Sequence, residues 1–258
     1  MRKTFAVLGF GLLFATSAQA ADMARPVYKA APMVAPVVYN WSGFYVGGHV
    51  GWAGSTDQVS GNDGTFDNPG AQSFSLKPSD WMAGGQIGFN WQASNWVLGV
   101  EADLGKFGLS KSAFFSGPGT ATPLDDFFSV KYDTYYTVTG RLGYAFDRAL
   151  WYAKGGYVNS KITTVAGDFD TGVIDPTDSV TVSKRRGGWT LGGGLEYGLT
   201  ENWSIKGEYL YMKFDNVSVQ NLDGAPAEIY TFNDKVHTVK FGINYRFGYG
   251  KTPVMAKY

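Results

Sequence analysis

Charged side chains at alternating positions in apolar, glycine-rich segments are the most chemically capable feature of this sequence. Glu101 and Asp103 have the residue types of an acid–base pair and are two positions apart. Carboxylates spaced in this way share one face of a strand, where opposing cations more often make them part of an ion-pair lattice. With two histidines, no cysteine and no serine in a G-x-S-x-G context, the chain carries no catalytic constellation. We therefore predict that the protein is not an enzyme.

Tryptophan recurs with a period of about 50 residues, which indicates an array of similar units. The residues are Trp41, Trp96, Trp151 and Trp203. Each unit contains an alternating segment, a polar Gly/Ser/Asp/Pro-rich stretch and a second alternating segment, which predicts a strand, a long loop and a strand. The predicted strands are 43–53, 80–91, 95–107, 131–146, 150–163, 188–199, 202–214 and 235–247. The predicted long loops are 54–79, 108–130, 164–187 and 215–234.

The four units give eight strands, with long loops at one end and short turns at the other. This asymmetry is typical of outer-membrane barrels, whose strands are about ten residues long. We therefore predict an all-β fold, an eight-stranded antiparallel up-and-down transmembrane β-barrel over 41–247, in the cell outer membrane and with both termini on the periplasmic side. The formal net charge of zero argues against a nucleic-acid partner.

The first 20 residues have the features of a secretory signal peptide. Arg2 and Lys3 form a basic start, 5–15 is apolar, and 18–20 is a small-residue cleavage site, so we expect cleavage after Ala20. An uncleaved membrane anchor is the alternative, but it needs roughly 20 apolar residues. The Ala/Pro-rich segment 21–40 is predicted to lie in the periplasm as a tether or a partial plug, and 248–258 forms a C-terminal extension.

The last predicted strand separates two faces with a period of two residues. Val239, Phe241 and Ile243 share one face, whereas Lys240 and Asn244 share the other. A soluble ligand-carrying barrel would place the apolar face inward, and a membrane barrel would place it toward lipid. Glycines crowd the polar face, where they make room for long charged side chains inside a narrow eight-stranded lumen. The polar face is therefore predicted to be the inside.

Aromatic residues gather at both ends of the apolar face, as they do in the interfacial girdles of membrane barrels. The girdle near the short turns is predicted to contain Trp91, Trp96, Tyr144, Trp151, Tyr197, Trp203, Tyr245 and Phe247. The girdle near the long loops is predicted to contain Trp52, Trp81, Trp189 and Tyr211.

The charged residues of the inner face nearly balance in sign, and we predict that they form ion pairs that close the lumen. They are Glu101, Asp103, Arg141, Lys154, Glu196, Lys206, Glu208, Lys240 and Arg246. If the turn at 200–202 is a three-residue loop, Glu196 faces Lys206 directly across the strand pair. The alternative is that trapped water solvates these groups and each pair contributes little.

The sequence predicts no metal site and no cofactor, and the lack of cysteine excludes a thiolate site, a disulfide framework and a lipoprotein anchor. His49 is interpreted as a lumen residue and His237 as a loop-end aromatic. Because the first and last strands adjoin on closure, a weak metal or haem contact between the two histidines is the alternative.

Several blocks of sequence together resemble one family over all the predicted strands. They are WSGFYVGG at 41–48, GVEAD at 99–103, GRLGYAFD at 140–147, GGLEY at 193–197, EYLY at 208–211 and NYRF at 244–247. They are similar to the small alphaproteobacterial outer-membrane β-barrel family, which includes outer-membrane immunogenic proteins. The resemblance implies an eight-stranded surface antigen, often labelled porin-like, that supports envelope integrity, with some haemin-binding relatives. It implies no catalytic residues.

The chain departs from the resemblance at its C-terminal end. Family members usually stop at the aromatic residue that ends the last strand, a position that resembles the signal for the outer-membrane assembly machinery. Here the chain continues beyond Phe247. We expect assembly to use either an internal signal or Tyr258 as the terminal aromatic.

The leading functional interpretation is a structural, surface-exposed envelope barrel with a closed lumen. A narrow passive-diffusion porin and a surface receptor or adhesin that acts through the long loops are the alternatives. The expected partners are outer-membrane lipid and lipopolysaccharide, the outer-membrane assembly machinery and an extracellular ligand at the loops.

Overall fold

The computed structural model describes residues 39–61, 72–115, 126–170, 173–221 and 228–248. The predicted signal peptide, most of the segment 21–40 and nearly all of 248–258 lie outside these residues. The strands are β1 (Gly43–Gly61), β2 (Gln72–Leu76), β3 (Ser79–Ala93), β4 (Trp96–Phe107), β5 (Ser110–Phe115), β6 (Asp126–Phe146), β7 (Ala149–Asp170), β8 (Val173–Gly198), β9 (Trp203–Phe214), β10 (Val217–Asn221) and β11 (Glu228–Phe247). No helix in the described part of the chain is long and apolar enough to cross a membrane.

Eight of these strands form a closed antiparallel ring. Its order is β1-β3-β4-β6-β7-β8-β9-β11, and the ring closes because β11 pairs with β1 from Phe44 opposite Phe247 to Gly61 opposite Tyr230. Each predicted strand coincides with part or all of an observed ring strand, with ends that agree to within two residues at the short turns. The predicted eight-stranded up-and-down fold is therefore confirmed.

The predicted long loops are wrong over much of their length. Strands β1, β6, β7, β8 and β11 continue far into them, and the short strands β2, β5 and β10 lie wholly inside them. These segments are polar on one face only: in β7, Ile162 and Thr164 are buried while Lys161 is exposed. These segments are strands with one buried face and one face in water, and their high content of polar residues made the sequence resemble that of a loop.

We call this upper part of the fold the outer extension. It comprises 54–61, 72–76, 110–115, 126–133, 161–170, 173–187, 217–221 and 228–234, beyond the level at which β3, β4 and β9 end. Here the pairings form two four-stranded sheets, β2-β1-β11-β10 and β5-β6-β7-β8. Much of the interior between them is apolar, with Phe128 and Phe232 stacked at 6.3 Å between ring centroids.

The sense of the alternation inverts where the outer extension begins. In the lower part of β1, Val50 and Trp52 point outward and are more than half exposed. Farther along β1, Val59 is buried and Gln58 is exposed. An apolar outer surface suits lipid and a polar one suits water, so the inversion indicates the outer boundary of the membrane.

Candidate functional site

Four carboxylates and four cations point into the lumen at the level of the membrane. They are Glu101, Asp103, Arg141, Lys154, Glu196, Lys206, Glu208 and Lys240, and each residue is at most 3% exposed. Strand alternation turns them inward from β4, β6, β7, β8, β9 and β11, so the set surrounds the barrel axis. Their charges balance, as burial of so many ionised groups requires.

Glu101 is surrounded by cations from three strands. Its carboxylate lies 2.5 Å from Lys154 Nζ, 3.1 Å from Lys206 Nζ and 3.7 Å from Arg141 Nη2. The hydroxyl of Tyr45 donates a hydrogen bond to Glu101 Oε2 at 2.7 Å. The partners come from β1, β6, β7 and β9, so this one carboxylate links opposite parts of the wall.

Glu208 links a second set of cations. Its carboxylate lies 2.9 Å from Lys154 Nζ and 3.0 Å from Lys240 Nζ. Lys240 Nζ also lies 2.8 Å from Asp103 Oδ2, and the hydroxyl of Tyr152 donates to Glu208 Oε2 at 2.9 Å. Since Lys154 contacts both Glu101 and Glu208, the two sets form one continuous network.

Glu196 lies directly opposite Lys206 in the strand register, as the three-residue loop predicted. Its ion pair, however, is with Arg141 at 3.0 Å, and it also accepts hydrogen bonds from Ser204 at 2.6 Å and Asn244 at 2.8 Å. Lys206 reaches across the lumen to Glu101 instead. The predicted placement of Glu196 opposite Lys206 is therefore confirmed, but the shortest ion-pair contacts of the two side chains are with other partners, because long lumenal side chains reach across the lumen as easily as across a strand pair.

Arg246 does not join the carboxylate network, which corrects its predicted role. It lies at the periplasmic end, where its guanidinium stacks over Tyr39 and Trp41 at 4.6 and 4.9 Å from the ring centroids. It donates to the hydroxyl of Tyr39 and, at 3.1 Å, to the backbone carbonyl of Glu201. Cation–π contacts and neutral acceptors replace the expected carboxylate.

Trp41 differs from the other tryptophans of the repeat. It is 1% exposed and points inward, where its indole N–H donates to the carbonyl of Asp147 at 3.2 Å, whereas Trp96, Trp151 and Trp203 point outward. With Tyr39 it forms an aromatic layer across the periplasmic end of the barrel. The sequence feature that could have indicated this inward position is that Trp41 precedes β1 and is therefore not part of the alternation of that strand.

Inward glycines provide the space that lumenal tyrosine rings occupy. A Cβ added at Gly88 would meet the phenol of Tyr45, and one at Gly194 would lie 2.7 Å from the hydroxyl of Tyr152. Both tyrosines donate to network carboxylates, so these glycines position the hydroxyls. Aromatic rings lying over glycines of neighbouring strands also stabilise strand pairs.

The predicted girdle residues lie on the outward face. Trp96 packs edge-on against Tyr144 at 5.3 Å, and Trp203 packs against Tyr245 at 5.0 Å. The others near the short turns are Trp91, Trp151, Tyr197 and Phe247, each more than 40% exposed. Near the outer extension the exposed aromatics are Trp52, Trp81, Trp189, Tyr136 and Tyr157, with Tyr211 packed against Trp189 at 5.3 Å.

The two histidines lie apart. His49 is buried in the lumen, within hydrogen-bond distance of Gln86 (2.6 Å) and Tyr135 (2.8 Å). His237 points outward and bonds to the hydroxyl of Tyr209 at 2.7 Å. Their different faces exclude a shared site, and the described residues contain no group of three or more His, Asp or Glu side chains placed to hold a metal ion.

A second polar cluster, which sequence analysis missed, lies inside the outer extension. Asp57 accepts hydrogen bonds from the hydroxyl of Tyr132 and, at 2.7 Å, from Ser55. Asp234 lies opposite Asp57 in the register and pairs with Arg186. Because the aspartates belong to one four-stranded sheet and Tyr132 and Arg186 to the other, the cluster joins the two sheets.

Comparison with known proteins identifies close sequence relatives. The 31 kDa outer-membrane immunogenic protein of Brucella melitensis is 32% identical over 252 residues, which cover 95% of this chain and 100% of the relative. The 22 kDa outer membrane protein of Rhizobium leguminosarum is 30% identical over 210 residues, covering 81% and 79%. These relatives are alphaproteobacterial outer-membrane proteins, so the resemblance inferred from the sequence blocks is confirmed.

The solved outer-membrane protein structures that this chain matches are more distant in sequence. Ail, the attachment invasion locus protein of Yersinia pestis, is 15% identical with a TM-score of 0.37, covering 78% of this chain and 99% of that one. OprG from Pseudomonas aeruginosa is 14% identical with a TM-score of 0.45, covering 80% and 97%. The family model described as "Outer membrane protein beta-barrel domain" matches residues 7–247. The chain therefore belongs to the outer-membrane β-barrel protein family and resides in the cell outer membrane.

Proposed function

We propose that this protein is a non-conducting, surface-exposed barrel that supports the outer membrane structurally and presents its outer extension to the exterior. The observation that carries the proposal is the ion-pair network of Glu101 and Glu208 with Lys154, Lys206 and Lys240, which spans the lumen at membrane level.

Two further layers support a closed lumen. Tyr39, Trp41 and Arg246 pack together at the periplasmic end. The apolar interior of the outer extension lies at the other end, where Phe128 and Phe232 stack. A hydrated ion would have to separate paired charges and cross both layers, each of which is costly to open.

The two alternative functions, a diffusion pore and a receptor or adhesin, have less structural support. A narrow diffusion pore requires water to replace the ion pairs, which the short contact distances oppose. A receptor or adhesin role, haemin binding included, would depend on the tips of the outer extension, and segments 62–71, 116–125 and 222–227 lie outside the described residues.

Single-channel recording tests the proposal. The chain from Ala21 onward is refolded in detergent, its folded state is verified by heat-modifiable migration, and it is inserted into planar bilayers beside a known porin as the insertion control. We expect no conductance steps from the folded protein. A large, stable, ohmic pore carried by the folded fraction would refute the closed lumen, as would swelling of liposomes in small neutral solutes.

A further inference from the structure

Two pairs of like charges face each other on the outer surface of the barrel. Lys213 on β9 lies directly opposite Lys235 on β11, and Lys161 on β7 lies directly opposite Arg185 on β8. Lys161, Lys213 and Lys235 alternate with buried neighbours, and Arg185 is exposed beside the buried Arg186, so all four point outward. Like charges directly opposite across a strand pair are destabilising. Among the residues that the structure describes, none of the four has a carboxylate within ion-pair distance.

These cations lie just beyond the outer aromatic girdle. Lys213 is two positions beyond Tyr211, and Arg185 is four positions beyond Trp189, about 13 Å along an extended strand. The guanidinium of Arg185 lies 5.8 Å from the ring centroid of Tyr136. The strands β7, β8, β9 and β11 are neighbours, so the two pairs lie on the same side of the barrel, and we call the four residues the basic patch.

Neutral groups orient these cations without cancelling their charge. Lys213 Nζ donates to the side-chain oxygens of Asn233 at 2.5 Å and Asn216 at 3.2 Å. Arg185 donates to Asn159 at 3.3 Å and Thr134 at 3.1 Å. These hydrogen bonds hold the cations in place without pairing them directly with a carboxylate of the described residues.

We infer that the basic patch of Lys161, Arg185, Lys213 and Lys235 binds the phosphate groups of outer-leaflet lipid A. The patch lies at the level where headgroups meet the aromatic girdle, and the apolar wall below it offers acyl chains a contact surface. Arginine binds phosphate through two parallel N–H donors, and lysine adds compact positive charge. A bound phosphate between each pair converts a repulsion into two attractions.

Paired substitutions test the inference. The variants are Lys213→Gln with Lys235→Gln and Lys161→Gln with Arg185→Gln, and the matched control is Lys77→Gln with Lys111→Gln, two exposed lysines outside the patch. Each refolded protein is titrated with bisphosphorylated lipid A in detergent, with bound lipid counted by native mass spectrometry and Tm recorded by circular dichroism. We expect each patch variant to lose about tenfold in lipid A affinity.

The sign of the Tm change provides a second, independent readout. Without lipid the patch variants should melt at the same or a higher temperature than the wild type, because a repulsion has been removed, whereas with lipid A they should melt at a lower temperature than the wild type.

Equal lipid affinity in wild type and patch variants, or an equal loss in the control variant, would overturn the inference. Equal binding of dephosphorylated lipid A would also overturn it, and tighter binding of soluble tripolyphosphate than of lipid A would assign the patch to a soluble polyanion. None of these outcomes depends on whether the barrel conducts.

Discussion

Among individual side chains, Glu101 shows why the buried charges must be considered together. Its carboxylate contacts three cations, and its removal leaves four lumenal cations facing three carboxylates. Breaking a buried network by removing one partner leaves uncompensated charge, which costs more than the network itself contributes.

We expect Glu101→Gln to lower the free energy of unfolding by about 3–5 kcal/mol. Urea unfolding in lipid vesicles, followed by tryptophan fluorescence, measures the change. Glu201→Gln is the matched control, because Glu201 lies in an exposed turn and its side chain makes no ion pair among the described residues. An unchanged midpoint for Glu101→Gln would mean that water, rather than ion pairing, stabilises these charges.

The glycines facing the lumen allow an equally local test. We expect Gly88→Ala to destabilise the barrel by about 1–3 kcal/mol, because the new methyl would meet the phenol of Tyr45 and lie 2.7 Å from the carbonyl oxygen of Val100. Gly140→Ala is the control, since a Cβ there meets nothing within 4 Å. Equal unfolding midpoints for the two variants, measured as above, would contradict the packing argument.

At the level of elements, the two sheets of the outer extension depend on the polar cluster between them. Burial, and then the neighbouring Asp234, raises the pKa of Asp57 from 3.8 to about 8. Burial also raises the pKa of Asp234, against the effect of Arg186. A carboxyl whose pKa is higher in the folded state stabilises the fold while protonated, so this contribution is complete below pH 3.8 and lost as the pH rises through about 8.

We therefore expect the wild-type Tm to fall as the pH rises toward 8, and Asp57→Asn to reduce that fall. The amide keeps the shape of the side chain without acquiring a charge, so the variant should be the more stable protein above about pH 8, by a few kcal/mol at most. Thermal unfolding by circular dichroism across this range measures both curves. Asp133→Asn, on the outer surface, should follow the wild type; a parallel slope in Asp57→Asn would exclude the cluster as the cause.

For the whole molecule, closure of the ring depends on the full length of β11. Its register with β1 runs to Phe247, which points outward at the inner girdle. We expect a chain cut after Gly248 to assemble into the same heat-modifiable barrel, because every ring pairing is retained. A chain cut after Thr238 should fail, since it loses the pairing of β11 with β1 over Phe44–Trp52. Loss of the folded band in the first truncation would show that 249–258 is required for assembly.

The local sequence pattern was enough to predict the barrel and which face of each strand points into the lumen. Alternation with a period of two depends only on neighbouring residues, so Val239, Lys240 and Phe241 reveal two faces without any knowledge of contacts. The number of strands followed from the tryptophan repeat, and the inward position of the charges followed from the cost of exposing them to lipid. These are properties of single strands and of their surroundings.

The partners of the charged groups, and the continuation of the strands into the outer extension, could be determined only from the closed fold. Lys206 pairs with Glu101, and Arg246 contacts Tyr39, across sequence separations of 105 and 207 residues that no local spacing encodes. The outer extension was misread because the same alternation has the opposite sense in water, with apolar residues inward and polar residues outward. The position of each residue in the assembled barrel decides whether lipid or water surrounds it. That position therefore determines which face of the strand is polar and which is apolar.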